Sequence, residues 1–182
     1  MKKAFLTAIT AGLFALNQMS FAATENFTVS LDAAQAGTVG AGGTGSGSGT
    51  LSYDTVASTL TLNNITYSGL SANSTFAHIH GSDTSVPGQS AGVLYDLAGF
   101  TTLGGTSGAF NGTVPLVDGT GGFSLAQQIS QLEGGLWYIN IHSANFGGGE
   151  IRGQILPVPE PSTLALLGLG AGALVWRLRR RT

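Results

Sequence analysis

The 182-residue sequence contains no cysteine, only three histidines and, apart from its two ends, almost no positive charge. Without cysteine there is no disulfide scaffold, no thiol nucleophile and no thiolate zinc finger. The formal charge of −2 hides a segregation. Lys2 and Lys3 open the chain and Arg177, Arg179, Arg180 and Arg181 close it, which leaves Arg152 as the one cation of residues 23–156, against eight acids there. So acidic a middle cannot neutralise a phosphate backbone, which excludes nucleic-acid binding. A GxSxG nucleophile elbow and a P-loop are also missing, and no carboxylate pair has a defined setting for acid–base work.

What is present begins with two addresses. Lys2 and Lys3 precede an uncharged apolar run from Ala4 to Leu16, then small residues at Ser20 and Ala22. That order of basic, apolar and small-x-small segments predicts a signal peptide over 1–22 and a mature chain starting near Ala23. At the other end Pro159, Glu160 and Pro161 lead into an uncharged run to Trp176 and then the arginine cluster. The run predicts a membrane helix over 162–176. From Pro161 it measures about 24 Å as a helix, short of a roughly 30 Å hydrocarbon core, so it spans if the bilayer thins or Arg177 snorkels. The arginines stay cytoplasmic, placing the preceding chain outside.

This end resembles the PEP-CTERM sorting tail of exported bacterial proteins, on the Pro-Glu-Pro triplet, the short glycine-containing apolar segment and the terminal arginines. The resemblance implies an exosortase-type membrane peptidase as partner, a transient stay in the inner membrane, and a destination at the cell surface, outer envelope or extracellular matrix of a Gram-negative bacterium. It also implies exopolysaccharide as a partner in that matrix. A permanent C-terminal anchor is the plain alternative.

Between the ends, residues 23–156 alternate apolar and polar positions: Phe27, Val29 and Leu31; Leu51 and Tyr53; Leu60 and Leu62, then Ile65 and Tyr67 beyond an Asn63-Asn64 interruption. Further short runs occur at 76–80, 93–97, 108–114, 137–142 and 151–155. Seven or eight such strands predict an all-β fold, an antiparallel sandwich or barrel of superoxide-dismutase-like or Ig-like Greek-key type. One segment breaks the period. Ser124 and Gln127 form a capping box, and Leu125, Ile129 and Leu132 share a face, which predicts a short helix over 124–133 on the sheet edge, ended by Gly134. Residues 36–50, with seven glycines among Ser and Thr, have the composition of a flexible loop.

The candidate chemistry is histidine. His78 and His80 lie two apart in Ala-His-Ile-His-Gly, so on a strand they share a face opposite Ala77 and Ile79. In Tyr-Ile-Asn-Ile-His-Ser, Ile139 and Ile141 turn to the core and Tyr138, Asn140 and His142 the other way. If the two strands pair, three imidazoles converge into a set that suits copper or zinc. The plain alternative is that these histidines simply bond to loops and no cofactor is held. Calcium is disfavoured, because the acids are scattered singly and calcium needs about six to eight clustered oxygens. Glu150 and Arg152 share a strand face; as structural residues they pair with each other, or Arg152 reaches Asp96 or Asp118 across the sheet.

Ala77-His78-Ile79-His80-Gly81, the Leu132 to Ser143 block and Gly149-Glu150-Ile151-Arg152-Gly153-Gln154-Ile155 together resemble the CHRD domain, first recognised in chordin. The resemblance covers residues 26–156 and implies an extracellular all-β module without an established general enzymatic activity. Ser82 departs from the proline often found there in the family. The His-x-His strand is also similar to the copper-binding strand of copper/zinc superoxide dismutases, onto which only His78 and His80 carry over, with His142 as a third candidate ligand. That enzyme needs further histidines for its second metal, and this chain has none. The leading expectation is a non-catalytic binding or structural module; the alternative is a copper or zinc protein, redox-active in the manner of the dismutases.

Overall fold

Period-two alternation buries one face of each strand, and the structure shows how those faces meet. In a computed structural model, residues 24–83, 89–159, 168–170, 173 and 176–179 are described. The expected signal peptide over 1–22 lies outside them, as do Glu160, Pro161 and most of the expected membrane helix over 162–176. Among the described residues no helix is long and apolar enough to cross a membrane.

The described strands are β1 (Thr24–Asp32), β2 (Ser46–Asp54), β3 (Thr59–Ser68), β4 (Ser74–Gly81), β5 (Val93–Asp96), β6 (Gly108–Pro115), β7 (Trp137–Ser143) and β8 (Ile151–Pro157). They form one antiparallel sheet in the order β5-β4-β7-β8-β1-β2-β3-β6. This confirms the all-β expectation. The sheet curls into a nearly closed barrel. Across the gap between the edge strands β5 and β6, Val117 N–H donates to Tyr95 Oη. The enclosed core holds the inward residues of the alternating runs, including Phe27, Leu51, Leu60, Ile79, Phe110 and Trp137, all essentially inaccessible.

The Asn63-Asn64 interruption is a β-bulge. Both asparagines are exposed, Asn64 takes a positive φ of 48°, and the register against β6 shifts between Leu62 and Ile65, so Ile65 still points inward. Asparagine tolerates that left-handed backbone better than most residues.

The helix α2 (Leu125–Glu133) forms as the capping box predicts, with Ser124 as N-cap. Its buried positions are Leu132 and two glutamines. Gln128 donates to the Val117 and Phe123 carbonyls, and Gln131 accepts from the buried Trp137 indole at 3.0 Å. The helix packs against β8, a central strand, rather than solely on an edge. Burying two amides there is tolerated because each is hydrogen-bonded.

The glycine-rich segment differs from its expected loop. After α1 (Ala33–Ala36), capped by Asp32, the chain makes one 3₁₀ turn at Val39–Ala41 and then enters β2 at Ser46. Gly47 and Gly49 point inward where a Cβ would sit 2.4 Å from the Thr66 carbonyl oxygen and 2.5 Å from Ile65 Cα. Composition suggested flexibility, but glycine is used here for close strand approach.

Candidate metal centre

Strands β4 and β7 pair antiparallel with His80 opposite Tyr138, His78 opposite Asn140 and Phe76 opposite His142. Ala77, Ile79, Ile139 and Ile141 fill the core, so the alternate residues face out together, as the alternation predicts. One ring nitrogen from each of His78, His80 and His142 lies within 4.8 Å of the others. His78 Nδ1 and His142 Nε2 are 3.1 Å apart. In a tetrahedral site with metal–nitrogen bonds of roughly 2.0–2.1 Å, ligand nitrogens stand about 3.4 Å apart, so modest ring tilts close the observed spread.

Two of the three tautomers are set by the backbone. His80 Nδ1 lies 2.9 Å from the Ala91 carbonyl, and His142 Nδ1 lies 2.8 Å from the Gly147 carbonyl. A carbonyl only accepts, so both Nδ1 atoms carry hydrogen and both Nε2 atoms present lone pairs when the rings are neutral. His80 Nε2 is buried and has no hydrogen-bond partner. Such an orphaned acceptor costs stability unless something fills the position. Backbone carbonyls that orient imidazoles in this way are the usual outer support of a histidine metal site.

Charge favours the neutral rings. Burial pushes the His80 pKa down, and His78, His142 and Arg152 add to this against the opposing Ala91 carbonyl. Burial likewise lowers His142, with His78 adding to it and the Gly147 carbonyl opposing. His80 and His142 are each 7% exposed, whereas His78 is half-buried and gives the cluster its opening to solvent.

The surrounding residues hold the cluster in place. Tyr138 stacks on His80 at 4.9 Å between centroids, and the Arg152 guanidinium lies 3.4 Å from the Tyr138 ring centre. Asn140 donates to the Gly148 carbonyl at 3.0 Å, and its amide nitrogen is 3.4 Å from His142 Nε2. A pocket of about 120 Å³ beside the centre is lined by Gln35, His80, Ser90, Tyr138, Asn140 and Arg152, among others.

The expected pairing of Arg152 with a carboxylate is corrected. Arg152 donates to the Gln89 carbonyl and to Gln154 Oε1. Asp96 and Asp118 instead accept from the Ala98 and Leu125 amides. Glu150 is inaccessible to solvent, and its Oε1 accepts from Thr44 N–H at 3.0 Å and Ser71 N–H at 2.6 Å. Burial alone would raise its pKa, but the Ser143 hydroxyl together with Ser71 and Thr44 holds it below the usual value. The two side chains therefore have separate partners, the carboxylate on loop amides and the guanidinium on Gln89 and Gln154.

Sequence reasoning placed Tyr138 and Asn140 on the correct face without assigning them a role. The Ala91 and Gly147 carbonyls carry no sequence signal, since any residue supplies a carbonyl.

Residues 27–155 match the profile of the CHRD domain. The chain belongs to the CHRD domain family. Residues 157–181 match the PEP-CTERM protein-sorting motif, the recognised substrate signal of exosortase. This CHRD protein is therefore exported through the membrane to the envelope of a Gram-negative bacterium and sorted by that membrane peptidase. Searches of curated proteins and of solved structures found no match.

Proposed function

We propose that the CHRD domain of this exported protein is a binding module that holds one copper or zinc ion on His78, His80 and His142, displayed at the cell surface or in the extracellular matrix. The observation that carries this reading is the convergence of three ring nitrogens within 4.8 Å. The carbonyl-fixed tautomers of His80 and His142 support it, because a neutral imidazole with its lone pair turned inward is the form that ligates. Imidazole donors suit both copper and zinc. These are all the histidines of the chain, so the donor set serves one ion and not a two-metal dismutase centre. Three protein ligands leave a further coordination position for water or an external ligand.

The test is metal analysis and calorimetry of the purified protein with Cu(II) and Zn(II) near neutral pH. About one equivalent should bind, and His80→Ala should abolish binding while leaving the β circular dichroism unchanged. Absence of stoichiometric binding by the parent protein overturns the reading and leaves the non-catalytic structural module in its place.

A further inference from the structure

A divalent ion bound as proposed above brings its full charge to a site with no counter-charge among its ligands. The three imidazoles ligate as neutral rings, and no Asp or Glu joins them in the cluster. His80 and His142 are buried, so the charge of the ion is only partly relieved by water.

A second positive group stands on the same face. The register places Asn140 between His78 on β4 and Arg152 on β8. The Arg152 guanidinium lies against the Tyr138 ring, which stacks on His80, and its charge is felt there as part of the lowering of the His80 pKa. Its acceptors on Gln89 and Gln154 are neutral amides. Asp32, the residue opposite Arg152 across the β1–β8 pair, turns its carboxylate to Gln35, accepting from the backbone N–H at 2.7 Å and from the side-chain amide at 2.8 Å. Glu150 is held by the Thr44 and Ser71 amides. These acids are thus bonded to neutral donors, not to the cations of this face.

One cavity touches both positive groups. The pocket of about 120 Å³ is lined by His80 and Arg152, with Asn140 between the two strands that carry them. At roughly 30 Å³ per water in the liquid, it has room for about four waters or a ligand of that size. Three protein ligands leave a coordination position open. A neutral ligand there would leave both charges unbalanced, whereas a small anion offsets them together, and a nucleotide or polymer is too large for the space. Oxygen donors suit zinc and, alongside imidazole nitrogen, copper. We infer that the open position takes a small carboxylate-type oxyanion, of the size of formate or bicarbonate, with one oxygen on the ion and the rest in the pocket beside Arg152. This ligand class deepens the metal reading and rests on it.

The probe is the full-length protein loaded with one equivalent of Cu(II) near neutral pH, with azide as a spectroscopic reporter of anion binding and formate as its competitor. Azide should give a saturable charge-transfer band, and formate should displace it. Ser90 is exposed and lines the pocket without being a ligand. Ser90→Glu should weaken formate binding and Ser90→Lys should strengthen it, each by at least about threefold at low ionic strength, with copper content unchanged. The two shifts have opposite signs, so failure of one variant to fold leaves the other as the test. A parent protein that takes up no copper overturns the metal reading and the oxyanion site together. Copper uptake without displacement of azide by formate overturns the oxyanion site alone. Ser90 variants that bind formate as the parent does overturn it equally, because the anion then senses the open ion and not the pocket.

Discussion

His78 Nδ1 and His142 Nε2 lie 3.1 Å apart across the β4–β7 pair, close to the separation of two ligands on one metal ion. Because His142 Nδ1 is committed to the Gly147 carbonyl, His78 is the donor between the two neutral rings. A metal ion replaces that hydrogen bond. His78→Ala should therefore lower metal affinity by more than about 100-fold, beyond the loss typical of removing a supporting contact. His78 is half-buried, so chemical denaturation of the metal-free protein should change little.

Gly149 supports the same centre from outside. Its φ of +112° is unfavourable for other residues, and a Cβ there would lie 2.0 Å from Asn140 Oδ1. Gly149→Ala must displace Asn140 or the 147–149 turn, whose carbonyls fix Asn140 and His142. The expected result is a roughly 10- to 100-fold loss of metal affinity with all three ligands intact, measured by competition with a chromogenic chelator.

Glu150 ties the Thr44 and Ser71 loop backbones to the start of β8, and these hydrogen bonds help hold its pKa below the ordinary carboxylate value. A depressed carboxylate pKa means that the unfolded chain takes up the proton first as acid is added. The stabilisation is thus complete above the unfolded value and disappears as pH falls through the folded one. Glu150→Gln should cost about 1–3 kcal/mol at pH 7 in urea unfolding. The gap between parent and variant should narrow below the ordinary carboxylate range, and a gap that stays constant with pH would contradict this role.

The glycines of the 36–50 segment should divide into two groups. Gly49→Ala drives a methyl group into the backbone at Ile65 and should cost at least about 1–3 kcal/mol, as overpacking does. Gly40→Ala meets nothing within 4 Å at an ordinary φ and should be neutral or slightly stabilising by thermal unfolding.

The comparison of sequence and structure follows the range of each interaction. Alternation along 76–80 and 137–142 was enough to assign the outward faces of His78, His80 and His142, because a strand turns its side chains over every second residue. The capping box at Ser124 and the interruption at Asn63-Asn64 were visible for the same reason, since each is settled within a few residues. The segment 36–50 was not, because the need for glycine at Gly47 and Gly49 comes from Thr66 and Ile65 on a neighbouring strand. Arg152 was misassigned for a related reason: carboxylates and loop carbonyls compete for one guanidinium, and only the fold decides which come within reach.

By itself, then, the sequence determined the all-β class, the family and the sorting address, all of which are carried by local alternation or contiguous motifs. Tertiary structure decided that β4 pairs with β7 in the register that brings three imidazoles together, and that loop carbonyls orient two of them. Pairing between strands far apart in the chain is a choice among competing registers, and it is made by burying the opposite, apolar face of the sheet.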